Sequence, residues 1–258
     1  MFQENITMLK NVFIAASLVF LAACSAPTPG EDINDPYESV NRVSHAINKG
    51  ADTVIFRPAS QVYGAIAPRP VRTSISNAAD NLDTPRSVVN GILQGDAEGA
   101  IKNTFRFLIN STIGVFGLFD PAKDFGLEAN QIGFGDTLAK WGVREGAYVE
   151  LPLFGPSTER DAVGQFVDVL TNPLSIITDE GTEIAAATSV PSVLNSRYEF
   201  ADTFDSILYD SADSYAQMRL FYLESRRFEL AGQNPADDAF DPYENLYEEV
   251  YEGLYDDF

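Results

Sequence analysis

The chain has 258 residues, of which 45% are hydrophobic and 12% aromatic, so it has enough apolar surface to build a folded core. Its 38 acidic and 17 basic residues give a formal net charge of -21 at pH 7. A nucleic-acid-binding protein needs clustered lysine and arginine to neutralise phosphates, so this balance argues against that class.

The first 23 residues have the features of a secretory signal peptide. Lys10 precedes an apolar run that is shorter than the roughly 20 residues of a membrane-spanning helix, and either Met1 or Met8 is a possible start. Cys24 is the sole cysteine and follows Leu-Ala-Ala. This pattern resembles the lipobox of bacterial lipoproteins, in which the cysteine is acylated. The alternative is an ordinary signal peptide with a free cysteine nearby.

Residues 24–34 are predicted to be a lipidated, flexible tether. The segment Ser25–Gly30 is small and rich in proline, so it cannot build a core. A serine directly after the cysteine resembles lipoproteins that are sorted to an outer membrane. Two or more acyl chains anchor a protein stably, so we expect a lipid-anchored chain without a spanning helix.

Helical patterns dominate the remainder and predict a mainly α fold for residues 35–232. Asp35 and Pro36 precede a helix, because proline suits the first helical turn. Further helices are predicted for Ala162–Leu170, Thr182–Ala187 and Asp213–Leu230. One helix face is marked by apolar residues at helical spacing, namely Ile101, Phe105, Leu108, Ile109, Thr112, Ile113 and Phe116.

Two connectors between helices are apolar and rich in glycine: Gly114–Pro121 and Ala147–Pro156. Connectors normally lie on the surface and are polar, so these two either fold over the core or contact lipid. In the second connector, Pro152 disfavours a strand inside a sheet. The alternatives are an edge strand or no strand, and we predict a stiff hairpin-like segment near residues 145–156 rather than a strand in a sheet.

Residues 233–258 form an acidic tail with tyrosine at every fourth position, at Tyr243, Tyr247, Tyr251 and Tyr255. As a helix, the tail would be amphipathic and anionic, which suits a basic partner. The alternative is a solvated, disordered tail.

The sequence offers no catalytic constellation. His45 is the only histidine, so neither a Ser-His-Asp set nor a two-histidine metal site can be assembled around it. The chain also lacks a G-x-S-x-G elbow and a phosphate-binding glycine loop. We therefore expect no enzyme activity, no cofactor and no metal.

A series of ordered motifs resembles the VacJ/MlaA-type outer-membrane lipoproteins and covers about Asp35 to Gly232. The matching residues are Asp35–Arg42, Asn48, Arg57–Pro58, Ser76–Asn77, Asn81–Leu82, Asn90, Leu93–Asp96, Arg106–Gly114, Gly117–Asp120, Phe134–Leu138, Trp141–Val143, Leu151–Ser157 and Arg160–Asp161. The chain departs from the family pattern at His45, where Phe is usual, at Asp136, where Gln is usual, and at Ala147, where Pro is common.

The resemblance implies a single ring of helices lying in the membrane interface around an amphipathic channel. It also implies residence in the inner leaflet of the outer membrane, association with trimeric porins, and delivery of phospholipids to a soluble periplasmic carrier that feeds an inner-membrane ABC transporter. The implied function is removal of mislocalised phospholipids from the outer leaflet, which maintains lipid asymmetry.

Several residues are candidates for contact with lipid. The candidate channel or membrane contacts are Gly117, Leu118, Phe119, Tyr148, Leu151 and Leu153. Arg42 and Arg57 are candidate headgroup contacts, because guanidinium groups bind phosphate with paired hydrogen bonds. The alternative for each arginine is a surface salt bridge. For the whole chain, the alternative is a structural lipoprotein that scaffolds a porin without conducting lipid.

Overall fold

The computed structural model describes residues 33–171 and 181–233, and these residues are mainly helical, as the sequence predicts. The predicted signal peptide, Cys24 and the acidic tail beyond Gln233 lie outside the described residues. Among the described helices, none is both long and apolar enough to cross a membrane.

The first half of the fold is a succession of helices joined by short turns. In chain order they are α1 (Glu38–Ala51), a first π-helix (Asp52–Phe56), α2 (Arg57–Ile66), α3 (Arg69–Gln94), α4 (Ala97–Thr112), α5 (Pro121–Asp124) and α6 (Phe134–Lys140).

The turn between α3 and α4 shows why the chain changes direction there. Gly95 ends α3 with φ of 75°, a left-handed conformation that suits glycine. Asp96 then caps α4, since its side chain accepts a hydrogen bond of 2.9 Å from the backbone N–H of Gly99. The two long helices therefore pack side by side as an antiparallel pair.

The second half contains the only two strands among the described residues. Strand β1 (Tyr148–Leu151) is followed by β2 (Gly155–Thr158), then by α7 (Glu159–Leu170), α8 (Gly181–Glu199), α9 (Ala201–Asp205), a second π-helix (Ser206–Asp210) and α10 (Ser214–Gln233). The predicted helices at 162–170 and 213–230 are thus present, with boundaries shifted by one to three residues.

The hairpin corrects one prediction. Strands β1 and β2 pair antiparallel, with Tyr148 opposite Thr158 and Leu151 opposite Gly155. The predicted hairpin-like segment is thus present, but its two arms are paired strands, so the expectation that it is not a strand in a sheet is wrong. Pro152 follows β1 instead of interrupting it, so the missing N–H removes no ladder hydrogen bond.

The elements contact one another in a closed circuit. The β-hairpin touches α7, which packs on α6, and α6 packs in turn on α3. Helix α3 contacts α8, α8 contacts α2, and the first π-helix and α1 lead back to β1. Outside this circuit, α4 packs on α3 and α5 packs on α4. We call the closed circuit the ring.

The helices bury their polar faces and expose their apolar faces. Helix α1 buries Asn41, Ser44 and His45, whereas Val43 and Ile47 are exposed. The other long helices repeat this pattern, with buried residues that include Arg72, Asn81, Asn90, Asn103, Arg106 and Asn110. A water-soluble helix usually shows the opposite arrangement.

Two small apolar clusters hold the hairpin side of the ring together. One consists of Tyr148, Tyr215 and Leu223, which joins β1 to α10. The other consists of Ile207, Leu208 and Met218, which joins the second π-helix to α10. Helix α10 is therefore fixed at two points along its length.

Candidate functional site

The elements of the ring line an open cavity of about 480 Å3. Its wall comes from α1, the first π-helix, α3, the hairpin, α8, α9, the second π-helix and α10. The cavity is therefore formed by segments that are far apart in the chain.

The cavity wall combines polar and apolar side chains. The polar residues are His45, Asn48, Asp52, Asp80, Asp83, Glu150, Ser189, Ser192, Ser196 and Arg197. The apolar residues are Ala51, Phe56, Ala79, Leu153, Phe154, Pro156, Val193, Phe204, Leu208 and Met218. A two-sided lining of this kind accommodates a molecule that has both a polar and an apolar part.

A buried hydrogen-bond network lies at the hairpin end of the cavity. The Nδ1 atom of His45 lies 3.0 Å from Oε1 of Glu150, and its Nε2 atom lies 2.9 Å from the hydroxyl oxygen of Ser214. Asn48 and Tyr148 also donate hydrogen bonds to the Glu150 carboxylate. Burial and the adjacent Glu150 raise the pKa of Tyr148, so its hydroxyl stays protonated and able to donate.

A second network joins the two π-helices. Arg197 donates to both oxygens of Asp52, at 2.8 and 2.9 Å, and to Asp205 at 2.6 Å. Arg57 donates to the other oxygen of Asp205 at 2.6 Å. The hydrogen bond with Asp52 is the largest of several interactions that raise the pKa of Arg197. π-helices often occur at functional sites. We therefore treat this junction, which borders the cavity, as part of the candidate site.

The two arginines predicted to contact headgroups do not line the cavity. Arg42 lies at the surface, where it pairs with Glu38 at 2.7 Å and with Asp213 at 2.8 Å. Its hydrogen bonds lower the pKa of Asp213 to about 2. Arg57 stacks on the ring of Tyr209 at 4.7 Å and pairs with Asp205. The salt-bridge alternative therefore describes both side chains in this structure.

The first apolar connector lies on the outside of the fold. Leu118 and Phe119 are 38% and 60% exposed, and Phe116 is 81% exposed. Gly117 is different, because it is buried with φ of 86° and packs against Asn81 of α3. A Cβ atom at Gly117 would lie 2.5 Å from the Asn81 Cβ, so this close approach requires glycine.

The three candidate residues of the second connector lie in different environments. Tyr148 is 1% exposed and belongs to the apolar cluster with Tyr215, so we no longer assign it a lipid contact. Leu151 is partly buried at the end of β1. Leu153 is 66% exposed and lines the cavity beside Phe154.

The sequence reasoning missed the polar residues that form the interior. Asp52, Asp80 and Arg197 line the cavity, yet single charged residues in helices give no signal above the many others in the chain. A usable signal was the asparagine spacing on α3 and α4, where Asn77, Asn81, Asn103 and Asn110 recur at helical intervals. That periodicity marks a polar face that is packed against protein.

A ring of helices with an apolar exterior and a polar, partly apolar cavity defines a lipid-facing class of protein. Comparison with known proteins agrees with this class. A sequence model of the MlaA lipoprotein family matches residues 33–229, so the chain belongs to the MlaA lipoprotein family.

Relatives extend along most of the chain. The proteins named "Intermembrane phospholipid transport system lipoprotein MlaA" from Shigella flexneri and from Escherichia coli K12 are each 30% identical over 225 residues, covering 85% of this chain and 88% of theirs. An uncharacterized protein of Rickettsia felis is 34% identical over 73% of this chain and 74% of its own length.

A solved structure has the same fold. It comes from work on the "structural basis for maintenance of bacterial outer membrane lipid asymmetry", and it superposes with a TM-score of 0.64 at 34% sequence identity. The match covers 74% of this chain and 96% of the solved chain.

Proposed function

We propose that this chain carries phospholipids mislocalised in the outer leaflet of an outer membrane through its central cavity, and thereby maintains lipid asymmetry. The observation that supports this most directly is the two-sided lining of the cavity within a ring whose exterior is apolar. The names of the MlaA relatives, which describe an intermembrane phospholipid transport system, point in the same direction.

The physical barrier to this movement explains why the lining has two kinds of wall. A phospholipid has about 30 methylene groups, and exposing them to water costs on the order of 20 kcal/mol. Moving the charged headgroup through hydrocarbon is also unfavourable. Polar residues such as Asn48 and Ser196 face the headgroup in this proposal, and apolar residues such as Phe56 and Val193 face the acyl chains.

The proposal includes the location and partners that the family resemblance implies. Acylated Cys24 anchors the chain in the inner leaflet of the outer membrane, and the apolar exterior of the ring lies among acyl chains. A trimeric porin holds the ring in place. A soluble periplasmic carrier receives the lipid and feeds an inner-membrane ABC transporter. Transport through the chain is passive and non-enzymatic, so its direction is set by the carrier.

The scaffold alternative is less well supported. Apolar connectors buried wholly in the core would favour a purely structural lipoprotein. Instead, Phe116 and Phe119 are exposed, and Leu153 and Phe154 are exposed at the cavity. These positions suit contact with lipid better than internal support.

Obstruction of the cavity tests the proposed function in cells. In a strain lacking the chain, Ala79→Trp should fail to prevent phospholipid accumulation at the cell surface, measured by labelling surface amines with a membrane-impermeant reagent. Ala79 lines the cavity, so the indole occupies the lipid path. The matched control is Val89→Trp on the same helix, at a position 48% exposed that does not line the cavity. Full complementation by Ala79→Trp at wild-type abundance would contradict the proposal.

The anchor is tested separately. Cys24→Ala should give a folded chain that no longer fractionates with the outer membrane and does not restore the permeability barrier. A Cys24→Ala chain that restores the barrier fully would contradict the lipid-anchored part of the proposal. It would not bear on the proposed lipid path through the cavity.

A further inference from the structure

A second, smaller pocket opens between α3 and α4, next to the central cavity. Its volume is about 60 Å3, and its wall is polar. Asp80 lines both this pocket and the central cavity, so the carboxylate lies at the boundary between them. The other residues that matter here are Asn81, Arg106, Asn110 and Asp120.

The hydrogen-bond donors around this pocket already have partners. Arg106 donates to both oxygens of Asp120, at 3.0 and 3.1 Å, and to the backbone oxygen of Leu127. Asn110 donates to Asp120 at 2.7 Å, and Asn103 donates to the backbone oxygen of Asn130 at 2.9 Å. The cationic Arg106 is therefore neutralised within the wall.

The acceptors are not all satisfied. Asn81 is 4% exposed and lines the pocket, and its amide nitrogen donates to Ser111. Its Oδ1 atom is buried and has no hydrogen-bond partner. A buried acceptor without a donor is unfavourable by about 1–3 kcal/mol, so this atom calls for a donor from a ligand. Gly117 keeps Asn81 in place, since any side chain there would collide with it.

The charge of the pocket selects the kind of donor. Burial raises the pKa of Asp80, and the neighbouring Asp83 and Asp120 carboxylates add to the rise, despite a hydrogen bond from Gln131 and the positive charge of Arg106. A further cation beside Asp80 would relieve the unfavourable charge that remains. A primary ammonium group supplies both the positive charge and several N–H donors, which suits the Asp80 carboxylate together with the unsatisfied Asn81 oxygen.

We propose that this pocket, which we call the amine subsite, binds a primary ammonium group, and that the ligand is the amine of an ethanolamine-type phospholipid headgroup in the central cavity. The proposal rests on the proposed lipid transport and adds a substrate class to it. The subsite favours lipids with a primary amine over choline lipids, which lack N–H donors, and over anionic glycerol lipids, which the carboxylates repel.

Competitive lipid binding tests the subsite. The purified full chain in detergent is given an equimolar mixture of phosphatidylethanolamine, phosphatidylcholine and phosphatidylglycerol with identical acyl chains, and bound lipids are counted by native mass spectrometry. The wild-type chain should favour phosphatidylethanolamine over phosphatidylglycerol by about 3- to 10-fold, as expected for a charge-assisted hydrogen bond in a partly exposed site. Asp80→Asn should bring this ratio close to unity. Asn81→Leu keeps the carboxylate and removes the unsatisfied acceptor, so it should instead abolish the preference for phosphatidylethanolamine over phosphatidylcholine, which lacks N–H donors.

The matched control is Glu98→Gln, which removes one carboxylate charge at an exposed position of α4. Glu98 lines neither the small pocket nor the central cavity, so this variant should keep the preference. Equal binding of the three lipids by the wild type, or the same preference in Asp80→Asn and Asn81→Leu, overturns the amine subsite and leaves lipid transport standing. Binding of none of the three lipids overturns both.

A free amine is the other possible source of the same chemistry. Ethanolamine is therefore titrated into the lipid-free chain and into the lipid mixture. Under the proposal, ethanolamine lowers the preference for phosphatidylethanolamine only in chains with an intact subsite. Binding of ethanolamine that leaves the lipid ratio unchanged assigns the pocket to a soluble amine and overturns the headgroup assignment.

Discussion

Arg197 connects three parts of the ring through one guanidinium group. It is 5% exposed, it reaches from α8 to Asp52 on the first π-helix, and it also reaches Asp205 on α9. Tyr209 of the second π-helix donates to the same Asp52 at 2.8 Å. Each charge in this junction has a partner, which is the condition for burying charges without a large penalty.

Replacing this arginine should therefore weaken the fold strongly. We expect Arg197→Met to lower the free energy of unfolding by about 3–5 kcal/mol, because Asp52 is left as a buried charge without its partner. The control is Arg42→Met, which breaks an exposed pair with Asp213 and should cost no more than about 1 kcal/mol. Chemical denaturation in mild detergent measures both. Equal losses of unfolding free energy in the two variants would contradict the claim that the buried junction stabilises the fold more than the exposed pair does.

His45 shows what a single-residue departure from the family pattern can achieve. In the family pattern that the sequence resembles, Phe is usual at this position. In the structure the imidazole packs edge-on against Tyr215 at 5.7 Å, as an aromatic ring would. It also contacts Glu150 and Ser214 with its two nitrogen atoms. A sequence reading found no partner for this histidine because its partners lie more than 100 positions away.

The hairpin contains a residue whose backbone is strained and whose side chain is exposed. Leu153 has φ of 68°, a left-handed conformation that is unfavourable for a leucine, and its side chain is 66% exposed. The segment is held by Asn48, whose side-chain oxygen accepts a hydrogen bond of 2.6 Å from the Leu153 backbone N–H. A strained, exposed leucine at a cavity is expected where function outweighs local stability.

The variant Leu153→Gly separates the two effects. Relief of the left-handed strain should raise the free energy of unfolding by about 1 kcal/mol. Loss of the apolar side chain should at the same time slow lipid transfer between vesicles and an acceptor carrier. Gly155→Ala is the control for backbone effects, since Gly155 has φ of 84° and open space around it, so stability should fall. Unchanged lipid transfer in Leu153→Gly would remove Leu153 from the lipid path.

Helix α4 shows the limit of a periodicity argument. The spacing of Ile101, Phe105 and Leu108 correctly predicted a helix with one apolar face. Periodicity states which residues share a face, but it does not state whether that face meets protein or another apolar medium. In the structure these side chains are exposed by 51% to 58%, and Asn103 and Arg106 on the other face are buried.

At the scale of the whole molecule, the helices expose apolar side chains and bury polar ones, which indicates a surface suited to an apolar environment. We expect a chain with Cys24→Ser, which lacks the anchor, to retain binding to phospholipid vesicles through the exterior of the ring. Adding Phe105→Asp and Leu108→Asp should weaken vesicle binding by roughly tenfold or more per residue, given the apolar area lost. Vesicle flotation measures the bound fraction. Vesicle binding that is insensitive to both substitutions would show that α4 does not contact lipid.

The sequence predicted the mainly helical class, the helix that follows the hairpin at residues 162–170 and the last helix at residues 213–230. The ring was expected from the family resemblance and from no local pattern, because the contacts of α3 with α8 and of α1 with β1 join segments that are distant in the chain. The cavity residues Asp52, Asp80 and Arg197 were missed for the same reason. Leu153 was the predicted lipid contact that the structure places on the cavity wall.

The most direct test of the cavity as a lipid path is reversible obstruction. In an Ala79→Cys chain, the new thiol lies on the cavity wall and can be modified by a bulky disulfide-forming reagent and then freed by a reducing agent. Transfer of labelled phospholipid from vesicles to the periplasmic carrier should stop on modification and recover on reduction. It should continue in Val89→Cys and in the wild-type chain under the same treatment. Undiminished transfer through fully modified Ala79→Cys would contradict the central claim that phospholipid passes through this cavity.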